Sequence, residues 1–416
     1  MDNLTHILAG LVAAEVVTRV RARKLEPRTE WVRAAYFASA LANNVPDLDF
    51  AYVGISGQKL GYLLHHRGHT HTLLGGVPLG LVALGLVYAW ARRRKHAFDR
   101  ADWLWLGALS LFGPLLHLFM DSWNSYGVHP FWPFDNRWFY GDRVFIVEPL
   151  FWAAALPSLF LAAGSRGGKT ALALWLSLTV LLPFVSRMVP LAICVFVLVW
   201  VVGALALLAR ATAARRVAVA LGSTLAVLAV FGLAKRQAEA KARARLAAQY
   251  PDETLHDLVL SPNPANPACF QFLAVQTGPA GSYALRSGRL SLVPALIAAD
   301  ACQMRAGSPT APLRAVAATN TRDVVIEREF VASVSELQRL ARQSCEVAAF
   351  LRFSRAPFWT DQPGTGLIVG DLRYDREPGI GFAELVAERT PRTCPSFVPP
   401  WDPPRSDVLA LPASGP

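Results

Sequence analysis

Long runs of apolar residues fill the first 234 positions of the chain and constrain its fold more than any other feature. Eight runs are suited to helices, at about 6–20, 34–45, 72–91, 103–120, 145–164, 170–186, 188–209 and 216–234. A helix needs roughly 20 apolar residues to cross a bilayer. The third to eighth runs approach this length, whereas the first two are shorter and interrupted. Charged residues make up only 17% of the chain, so we predict a mainly α, multi-pass transmembrane helical bundle.

Basic residues lie in the short loops between these runs and predict the orientation of the bundle. Four loops are rich in Lys and Arg: Arg21–Arg33, Arg92–Arg100, Arg166–Lys169 and Arg210–Arg216. Cytoplasmic loops carry such an excess, and all four can lie in the cytoplasm because two crossings separate each loop from the next. These loops account for much of the net charge of +11. No basic stripe with interleaved aromatic residues is present, so we expect no nucleic-acid partner.

The same orientation places the other loops and everything after Lys235 on the extracytoplasmic side. The loops assigned there are Met1–Thr5, Asn43–His71, Asp121–Arg143 and the turn near Arg187. The basic stretch Lys235–Arg245 lies on that side as well, but long domains are translocated largely regardless of charge. We therefore expect a multi-pass protein of the bacterial inner membrane with a periplasmic C-terminal domain.

Beyond residue 234 the pattern is that of a water-soluble domain. We predict a membrane domain over 1–234, a helical linker over 235–254, a smaller strand-rich α+β extracytoplasmic domain over 255–394, and a loosely ordered Pro-rich tail over 395–416. The predicted strands are Cys269–Gln276, Ser282–Val293, Val324–Val331, Val347–Phe353, Gly366–Tyr374 and Gly381–Glu388, each bounded by residues that favour turns. A helix is predicted over Val334–Ser344.

Four of the five cysteines fall in the predicted extracytoplasmic domain: Cys269, Cys302, Cys345 and Cys394. An oxidising compartment permits disulfides among them. Four cysteines allow three pairings, between which the sequence does not choose, and four unpaired core thiols are the alternative. Cys194 lies within an apolar run, which is typical of a small core residue.

Ionisable residues are concentrated at the predicted extracytoplasmic ends of the first membrane helices. Seven of the nine histidines lie there, namely His6, His65, His66, His69, His71, His117 and His129, together with Asp2, Asp47, Asp49, Asp121, Asp135 and Asp142. Such groups at membrane-helix ends are costly and usually functional. Because Lys and Arg alone set the orientation, this convergence independently indicates a site on that side.

Three short motifs in this region have the spacing of metal ligands. His117 and Asp121 are four residues apart, so on a helix they share one face. The segment Asn43–Asp49 (NNVPDLD) ends the second helix at its proline and offers two carboxylates. The segment His65–Thr72 (HHRGHTHT) supplies several imidazoles beside a guanidinium, and His6 begins the first helix.

Imidazole and carboxylate ligands together suit zinc, manganese or iron. Two ions about 3.5–4 Å apart would orient a hydroxide and clamp a phosphoryl oxygen, and Arg67 could bind another phosphate oxygen in bidentate fashion. Each motif alone also has a simpler explanation, as a hydrogen-bonded pair, a helix cap or a proton-responsive histidine cluster. The metal hypothesis therefore depends on their conjunction. No nucleophile-elbow, Walker or dinucleotide motif competes with it.

Four motifs together resemble the YdjM-like family of inner-membrane, metal-dependent hydrolases, some of which are linked to the LexA regulator. They are Thr5–His6, Val45–Asp49 (VPDLD), His66–Thr72 (HRGHTHT), and His117–Asp121 (HLFMD) with the following Gly127 and Pro130. The resemblance is specific over residues 1–135 and continues more weakly in Ser261–Pro267 and Gly370–Tyr374. Phe50 stands where the family often has His, and His65 and His69 are additional.

The resemblance implies a membrane-bound hydrolase that uses metal-activated water on an ester or phosphoester. The ligands it implies are His6, Asp47, Asp49, His66, His71, His117 and Asp121, holding one or two divalent transition metal ions, zinc before manganese or iron. Arg67 would clamp the substrate, and Asp49 or Asp47 would be the general base if not both are ligands. The helical His-x-x-x-Asp is also similar to that of zinc-dependent phospholipase C, which favours a phosphoester, and a site at the membrane favours a small-molecule or lipid-linked substrate.

The alternative is a non-catalytic membrane protein that uses the same His and Asp residues for metal sensing, pH sensing or transport. A transporter places ionisable groups at mid-membrane on broken helices. The middles of the third to eighth runs are nearly free of such groups, which argues against transport. A scaffold whose second domain binds a partner is a third possibility, and the sequence does not predict an oligomeric state.

Overall fold

The membrane part of the chain is a bundle of helices. The structure is a computed structural model that describes residues 1–22, 29–51, 59–186, 188–303, 312–316, 321–374, 380–389 and 393–412. The helices of the first part are α1 Asn3–Ala22, α2 Thr29–Ala42, α3 Lys59–His65, α4 Leu73–Arg93, α5 Arg100–Asp121, α6 Pro149–Ala162, α7 Arg166–Ser186, α8 Leu191–Ala209 and α9 Ala213–Gln249, with short 3-10 segments at Val45–Phe50 and His69–His71. The predicted turn near Arg187 and the middle of the loop Arg21–Arg33 lie outside the described residues.

Six of the described helices are long and apolar enough to cross a bilayer: α1, α4, α5, α7, α8 and α9. The fold class predicted from the sequence, a transmembrane helical bundle followed by a strand-rich domain, is confirmed. Two lengths differ from the prediction. The first run gives a full-length helix of 20 residues, because polar residues extend it at both ends. The fifth gives only 14 residues, because Pro149 sits at the first helical position and lacks the N–H that would continue the helix backwards.

Small residues let α2 pack closely against α1 and α5. A Cβ atom added at Gly10 would lie 2.6 Å from the carbonyl oxygen of Ser39, and one added at Gly113 would lie 2.4 Å from Cβ of Ala42. Backbones can approach this closely only where side chains are minimal. The contact at Gly113 brings the end of α2 against α5, one turn before His117.

The C-terminal part forms two antiparallel sheets. The strands are β1 Thr254–Asn263, β2 Asn266–Gly278, β3 Ser282–Ser291, β4 Arg314–Ala315, β5 Val324–Ser333, β6 Pro357–Gln362, β7 Gly366–Asp371 and β8 Glu384–Ala387. The described strands form a five-stranded sheet in the order β1-β2-β3-β5-β4 and a three-stranded sheet in the order β6-β7-β8. Helices α10 Val334–Gln343, α11 Cys345–Phe350 and α12 Ser406–Leu409 complete this part.

The strand predictions hold for β2, β3, β5, β7 and β8 but fail for Val347–Phe353. This segment contains helix α11, because Ser344 caps it by accepting a hydrogen bond from the amide of Val347. Val347, Phe350 and Leu351 are all buried, at the three- and four-residue spacing of a helical face. Strands β1 and β6 were not predicted, since polar residues interrupt their apolar pattern.

Helix α9 runs without interruption from the membrane part into the sheet domain. The apolar run 216–234 and the predicted linker helix are therefore one element of 37 residues. In its second half, Ala234, Ala238, Ala242 and Leu246 are buried against the five-stranded sheet. Their four-residue spacing places them on one face of the helix.

The sheet domain docks on the end of the bundle that carries the predicted site. Arg355 donates to both carboxylate oxygens of Asp142, each at 2.9 Å, and Trp138 Nε1 donates to the carbonyl of Arg352 at 2.8 Å. The prediction of a loosely ordered tail is wrong for residues 395–412. Trp401 is 1% exposed, and its indole donates to the carbonyl of Leu64 at 2.7 Å. Burial of this large aromatic ring stabilises the docked position of the tail.

Two disulfides join Cys269 to Cys302 and Cys345 to Cys394. Cys194 is free and buried within α8, where its thiol contacts a backbone carbonyl. The pairing that the sequence left open is thus sequential, and each bond ties a strand or helix of the sheet domain to a neighbouring loop.

Candidate metal centre

The ligand-type side chains meet where the ends of four helices converge. His6 lies in the first turn of α1, and His117 and Asp121 lie in the last two turns of α5. The 3-10 segment Val45–Phe50 follows α2 and turns Asp49 inward while Leu48 and Phe50 face outward. The 3-10 segment His69–His71 precedes α4 and places the buried His71 between the aspartates of the segment Val45–Phe50 and the end of α5.

Four ligand atoms from three parts of the chain approach one another closely. The Nε2 atoms of His71 and His117 are 3.0 Å apart. Asp47 Oδ1 lies 3.4 Å from the first and 3.5 Å from the second. Asp121 Oδ2 lies 3.2 Å from His71 Nε2 and 3.3 Å from His117 Nε2. These four residues form a group that could hold a metal ion.

Hydrogen bonds fix which ring nitrogens carry protons. His117 Nδ1 donates to the carbonyl oxygen of Asn43 at 2.6 Å, so its Nε2 carries a lone pair in the neutral ring. The Thr70 hydroxyl donates to Asp49 and can therefore accept from His71 Nδ1, at 2.9 Å. The Nε2 lone pair of His71 is then also free. With both rings in these neutral tautomers, two imidazole lone pairs and two carboxylate oxygens face each other, an arrangement that a metal cation between them would stabilise.

Asp47, Asp49 and His66 form a second, adjacent group that could hold a metal ion, and it shares Asp47 with the first. Asp49 Oδ1 lies 2.9 Å from His66 Nδ1. Its other oxygen accepts from the amide of Arg67 and from Thr70 Oγ1, both at 2.9 Å. Asp49 therefore orients the ring of His66 and, through Thr70, the ring of His71.

His6 and Arg67 flank the first group without belonging to it. His6 Nε2 lies 3.2 Å from Asp121 Oδ1, and its ring stacks on that of His117 with 3.6 Å between centroids. Arg67 Nε lies 3.1 Å from Asp121 Oδ2, and its Nη1 donates to Asn124 at 3.0 Å. Arg67 is 2% exposed, and its backbone has a φ of 61°, a conformation that L residues rarely adopt.

The charges of the centre favour ionised carboxylates and an added cation. Without a metal ion, burial raises the pKa of Asp47, but the adjacent rings of His117 and His71 outweigh burial and hold that pKa far below its ordinary value. Burial likewise raises the pKa of Asp49, and His66 and His71 bring it well below the usual range. For His71, burial lowers the pKa, yet Asp121, Asp47 and Asp49 raise it to about 10. The carboxylates thus attract positive charge to this point.

The centre is closed on most sides and open at one edge. The side chains of His6, His71, His117, Asp49 and Asp121 have no exposed surface, whereas Asp47 and His66 are 11% and 12% exposed. Tyr62 stacks on His66 with ring centroids 4.9 Å apart. A small molecule that reached the centre through this edge would meet Asp47 and His66 first.

Several histidines and aspartates that the sequence placed on this side do not join the centre. His129 is stacked between Trp138 and Trp401, and burial lowers its pKa to about 3. His69 packs against Trp401 as well, and His65 Nε2 lies 2.8 Å from the carbonyl of Phe397. The extra histidines thus contact the docked tail. Asp2 caps α1 at Thr5, Asp135 pairs with Arg137, and Asp142 pairs with Arg355.

Sequence reasoning missed the residues that orient the ligands. Asn43 acts through its backbone carbonyl, which gives no signature in the side-chain pattern. Thr70 and Asn124 act through side chains that are common in turns. Asn124 lies in the turn after α5, so helical spacing gave no signal for it.

The fold and the centre define a multi-pass membrane protein with a buried His/Asp cluster at one end of its helical bundle. Residues 1–191 match the family described as YdjM inner membrane protein, which confirms the resemblance inferred from the motifs over that part of the chain. All the predicted ligands and Arg67 lie within the matched residues.

A relative is the uncharacterized protein YfhP of Bacillus subtilis (strain 168). The two are 24% identical over 179 residues, which are 43% of this chain and 51% of the relative. The chain therefore matches about half the length of that curated relative. No solved structure matches the chain.

Proposed function

We propose that this protein is a metal-dependent hydrolase whose metal ion, zinc in the first instance, is held by Asp47, His71, His117 and Asp121. The observation that carries the proposal is the spacing of the four ligand atoms, of which five separations lie between 3.0 and 3.5 Å. In a tetrahedral zinc site with bonds of about 2.0–2.1 Å, ligand atoms lie roughly 3.3–3.4 Å apart. Manganese and iron accept the same ligand types.

A divalent ion held by four protein ligands would take a water or a substrate oxygen as a fifth ligand, or in place of one carboxylate. In that position it would lower the pKa of the water and polarise a phosphoryl or carbonyl oxygen of the substrate. Proton transfer falls to His66 and Asp49. Asp49 engages His66 Nδ1, so the other ring nitrogen is the one that can accept a proton from the attacking water. Because Asp49 already accepts from Arg67 and Thr70, it acts on this proton through His66.

A second ion is the alternative use of the same residues. The group Asp47, Asp49 and His66 could hold it, and His66 would then be a ligand instead of a base. The number of ions bound per chain distinguishes the two mechanisms. One ion leaves His66 free for proton transfer, and two ions do not.

Arg67 has a positioning role in this proposal, in addition to the substrate contact that the sequence predicted. Its guanidinium holds Asp121 and Asn124 and lies over the ring of Tyr126, 4.7 Å from the centroid. Contact with a phosphate oxygen would exchange one of these partners for the substrate. Lysine cannot make the same set of contacts, because it carries a single point charge.

The substrate is an ester or phosphoester that the protein meets on the extracytoplasmic side of the membrane. The sheet domain docks at the same end of the bundle as the centre, so both lie on one side. That domain has two disulfides, which persist in oxidising compartments and are rare in the cytosol. The inner-membrane character of the matched family then favours a periplasmic centre.

The proposal is tested first by metal content, for which no substrate is needed. Purified, zinc-reconstituted wild-type protein should hold at least one ion per chain. His117→Ala and Asp121→Ala should each lower zinc affinity at least about 100-fold, since each removes one of four ligands. His96→Ala is the matched control, because that residue packs between Trp90 and Phe98 at the opposite end of the bundle.

Activity is tested second, with aryl phosphate and aryl ester substrates in the presence and absence of a chelator. Hydrolysis should require the metal and should fall by at least about 100-fold in His66→Ala, which keeps the four-residue group intact. Wild-type protein without stoichiometric transition metal, or a His117→Ala/Asp121→Ala double variant with its full complement, would refute the centre. Full metal occupancy without hydrolysis of any ester would instead identify a sensor.

A further inference from the structure

A deep apolar groove lies in the membrane part of the bundle, beside the metal centre. It lies between α1, α5, α6 and α9 and has a volume of about 570 Å³. It extends from Thr5, Met120 and Trp123 at one end to Val17 and Leu221 at the other. We refer to it as the bilayer groove.

The composition of the bilayer groove restricts what can occupy it. Of its 20 lining residues, 18 are apolar, and Thr5 and Thr224 are the exceptions. A polar ligand would lose its hydration there without gaining hydrogen bonds. Phe112, Phe119 and Leu225 on its sides are 50%, 56% and 63% exposed, so the groove opens sideways, at the depth where lipid chains lie. A hydrocarbon chain matches these properties.

The length of the bilayer groove fits one leaflet. Thr5 and Val17 are twelve residues apart on α1, which corresponds to about 18 Å along the helix. The hydrocarbon core of a bilayer is about 30 Å thick, so one leaflet contributes roughly 15 Å. A single chain of a lipid in the leaflet next to the metal centre would fill the groove from end to end.

The polar end of the bilayer groove lies at the helix turns that supply the metal centre, since Thr5 immediately precedes His6 and Met120 immediately precedes Asp121. The ligands themselves do not line the groove. A headgroup at this end would reach the exposed edge of the centre past Asn3, which donates to Asp47 at 2.8 Å. The Thr5 hydroxyl contacts Asp2 and accepts a hydrogen bond from Trp152 Nε1 at 2.8 Å. Thr5 is thus the polar residue at the end where a lipid headgroup would lie.

We propose that the bilayer groove holds the hydrocarbon chain of a lipid phosphoester, with its headgroup at the Thr5 end, and that this lipid is the substrate class of the adjacent centre. The inference rests on the proposed hydrolase function. The bilayer is as apolar as the groove, so chain transfer gains little hydrophobic free energy. The contribution of the groove is orientation, because a held chain limits the positions of its headgroup.

The first test locates the chain and does not depend on catalysis. Hexadecyl phosphate with a diazirine at the chain terminus is incorporated at low density into nanodiscs that contain the full-length protein. After irradiation, adducts should map to the Val17 and Leu221 end of the groove. A diazirine on the carbon next to the phosphate should label the Thr5 and Met120 end. Ala13→Trp, which fills the groove midway along α1, should reduce both adducts at least about five-fold.

The second test measures selectivity with two substrates that share a headgroup. Metal-loaded wild-type protein should hydrolyse hexadecyl phosphate with a kcat/KM at least about ten-fold above that for butyl phosphate. Ala13→Trp should lower kcat/KM for hexadecyl phosphate about ten-fold and leave that for butyl phosphate within about two-fold. The matched control is Ala226→Trp on α9, an exposed position that does not line the groove.

The outcomes separate this inference from the function on which it rests. Two results would overturn the bilayer groove as a substrate site. One is adducts that spread evenly over the exposed faces of α7 and α8. The other is that Ala13→Trp and Ala226→Trp lower the hydrolysis of hexadecyl phosphate and of butyl phosphate to the same extent. Hydrolysis of butyl phosphate in that case would leave the hydrolase proposal standing. Groove-specific adducts without hydrolysis of either phosphate would show lipid binding and contradict the hydrolase.

Discussion

Buried carboxylates in this protein differ in behaviour because their partners differ. Asp121 lies beside the guanidinium of Arg67 and the rings of His6 and His117, so one cation and two imidazoles adjoin it. Glu148 is also fully buried, but its described partners are the backbone amides of Leu150 and Ala265. Burial raises the pKa of Glu148 to about 8, although these two amides lower it in part. The carboxyl group therefore couples the docking of the sheet domain to pH.

The raised pKa of Glu148 predicts how the stability of the protein depends on pH. The folded state holds a proton on Glu148 up to about pH 8, whereas its ordinary pKa is 4.5. The folded state thus binds more protons within this window, and its stability falls as pH rises from about 5 to 8. Glu148→Gln should remove this loss and be more stable than wild type at pH 8.5 by on the order of 5 kcal/mol. Chemical unfolding in detergent at pH 5 and 8.5 measures the difference, and a difference that does not change with pH would contradict the assignment.

At this scale the sequence predicted which residue types would form the centre but not which of them would meet. His65 ends α3 and His66 follows it, with its amide still bonded to the carbonyl of Tyr62 as in a helix, so the two side chains point about 100° apart around the helix axis. One reaches Asp49 and the other reaches the tail, a choice that only the packing of α3 decides. The roles of Asn43 and Thr70 were not predictable, since each depends on the position of another segment.

Among the elements, the contact between α2 and α5 positions the centre. Gly113 lies where α5 meets Ala42, the last residue of α2, and the residue after it, Asn43, accepts a hydrogen bond from His117 through its carbonyl. Pro46 correctly predicted that α2 ends before it, whereas α2 begins at Thr29, five residues ahead of the predicted apolar run 34–45. The short length of α6 follows from Pro149 and the helical state of α11 from the Ser344 cap, local signals that the apolar pattern alone did not reveal.

Gly113→Val should disturb the centre through this contact without touching a ligand. The added carbon would lie 2.4 Å from Cβ of Ala42, so α2 and α5 must separate, at a cost of about 1–3 kcal/mol. His117 would then lose its bond to Asn43, and zinc affinity should fall at least about ten-fold. Gly107→Val on the same helix is the control, because an atom added there lies 3.8 Å from Leu84. Equal zinc affinity in the two variants would exclude this role.

At the scale of the whole molecule, the sheet domain and the centre share one end of the bundle. A periplasm-active reporter fused after Tyr250 should therefore be active, and the same reporter fused at Arg94 should be inactive. A cytoplasm-active reporter should give the reverse pattern. Protein isolated without reductant should expose only Cys194 to alkylation after unfolding, because the other four cysteines are paired. Activity at Arg94 alone, or five alkylated thiols, would place the centre in the cytoplasm.

The unbroken helix α9 connects the sheet domain directly to the bilayer groove, so a movement of one can be transmitted to the other. Ala242 is seated in the sheet domain and Leu225 borders the groove, with about 26 Å of helix between them. If α9 stays straight, a tilt of the helix by about 5° around Ala242 displaces Leu225 by roughly 2 Å. Any molecule that tilts the sheet domain would therefore widen or narrow the groove from outside the membrane.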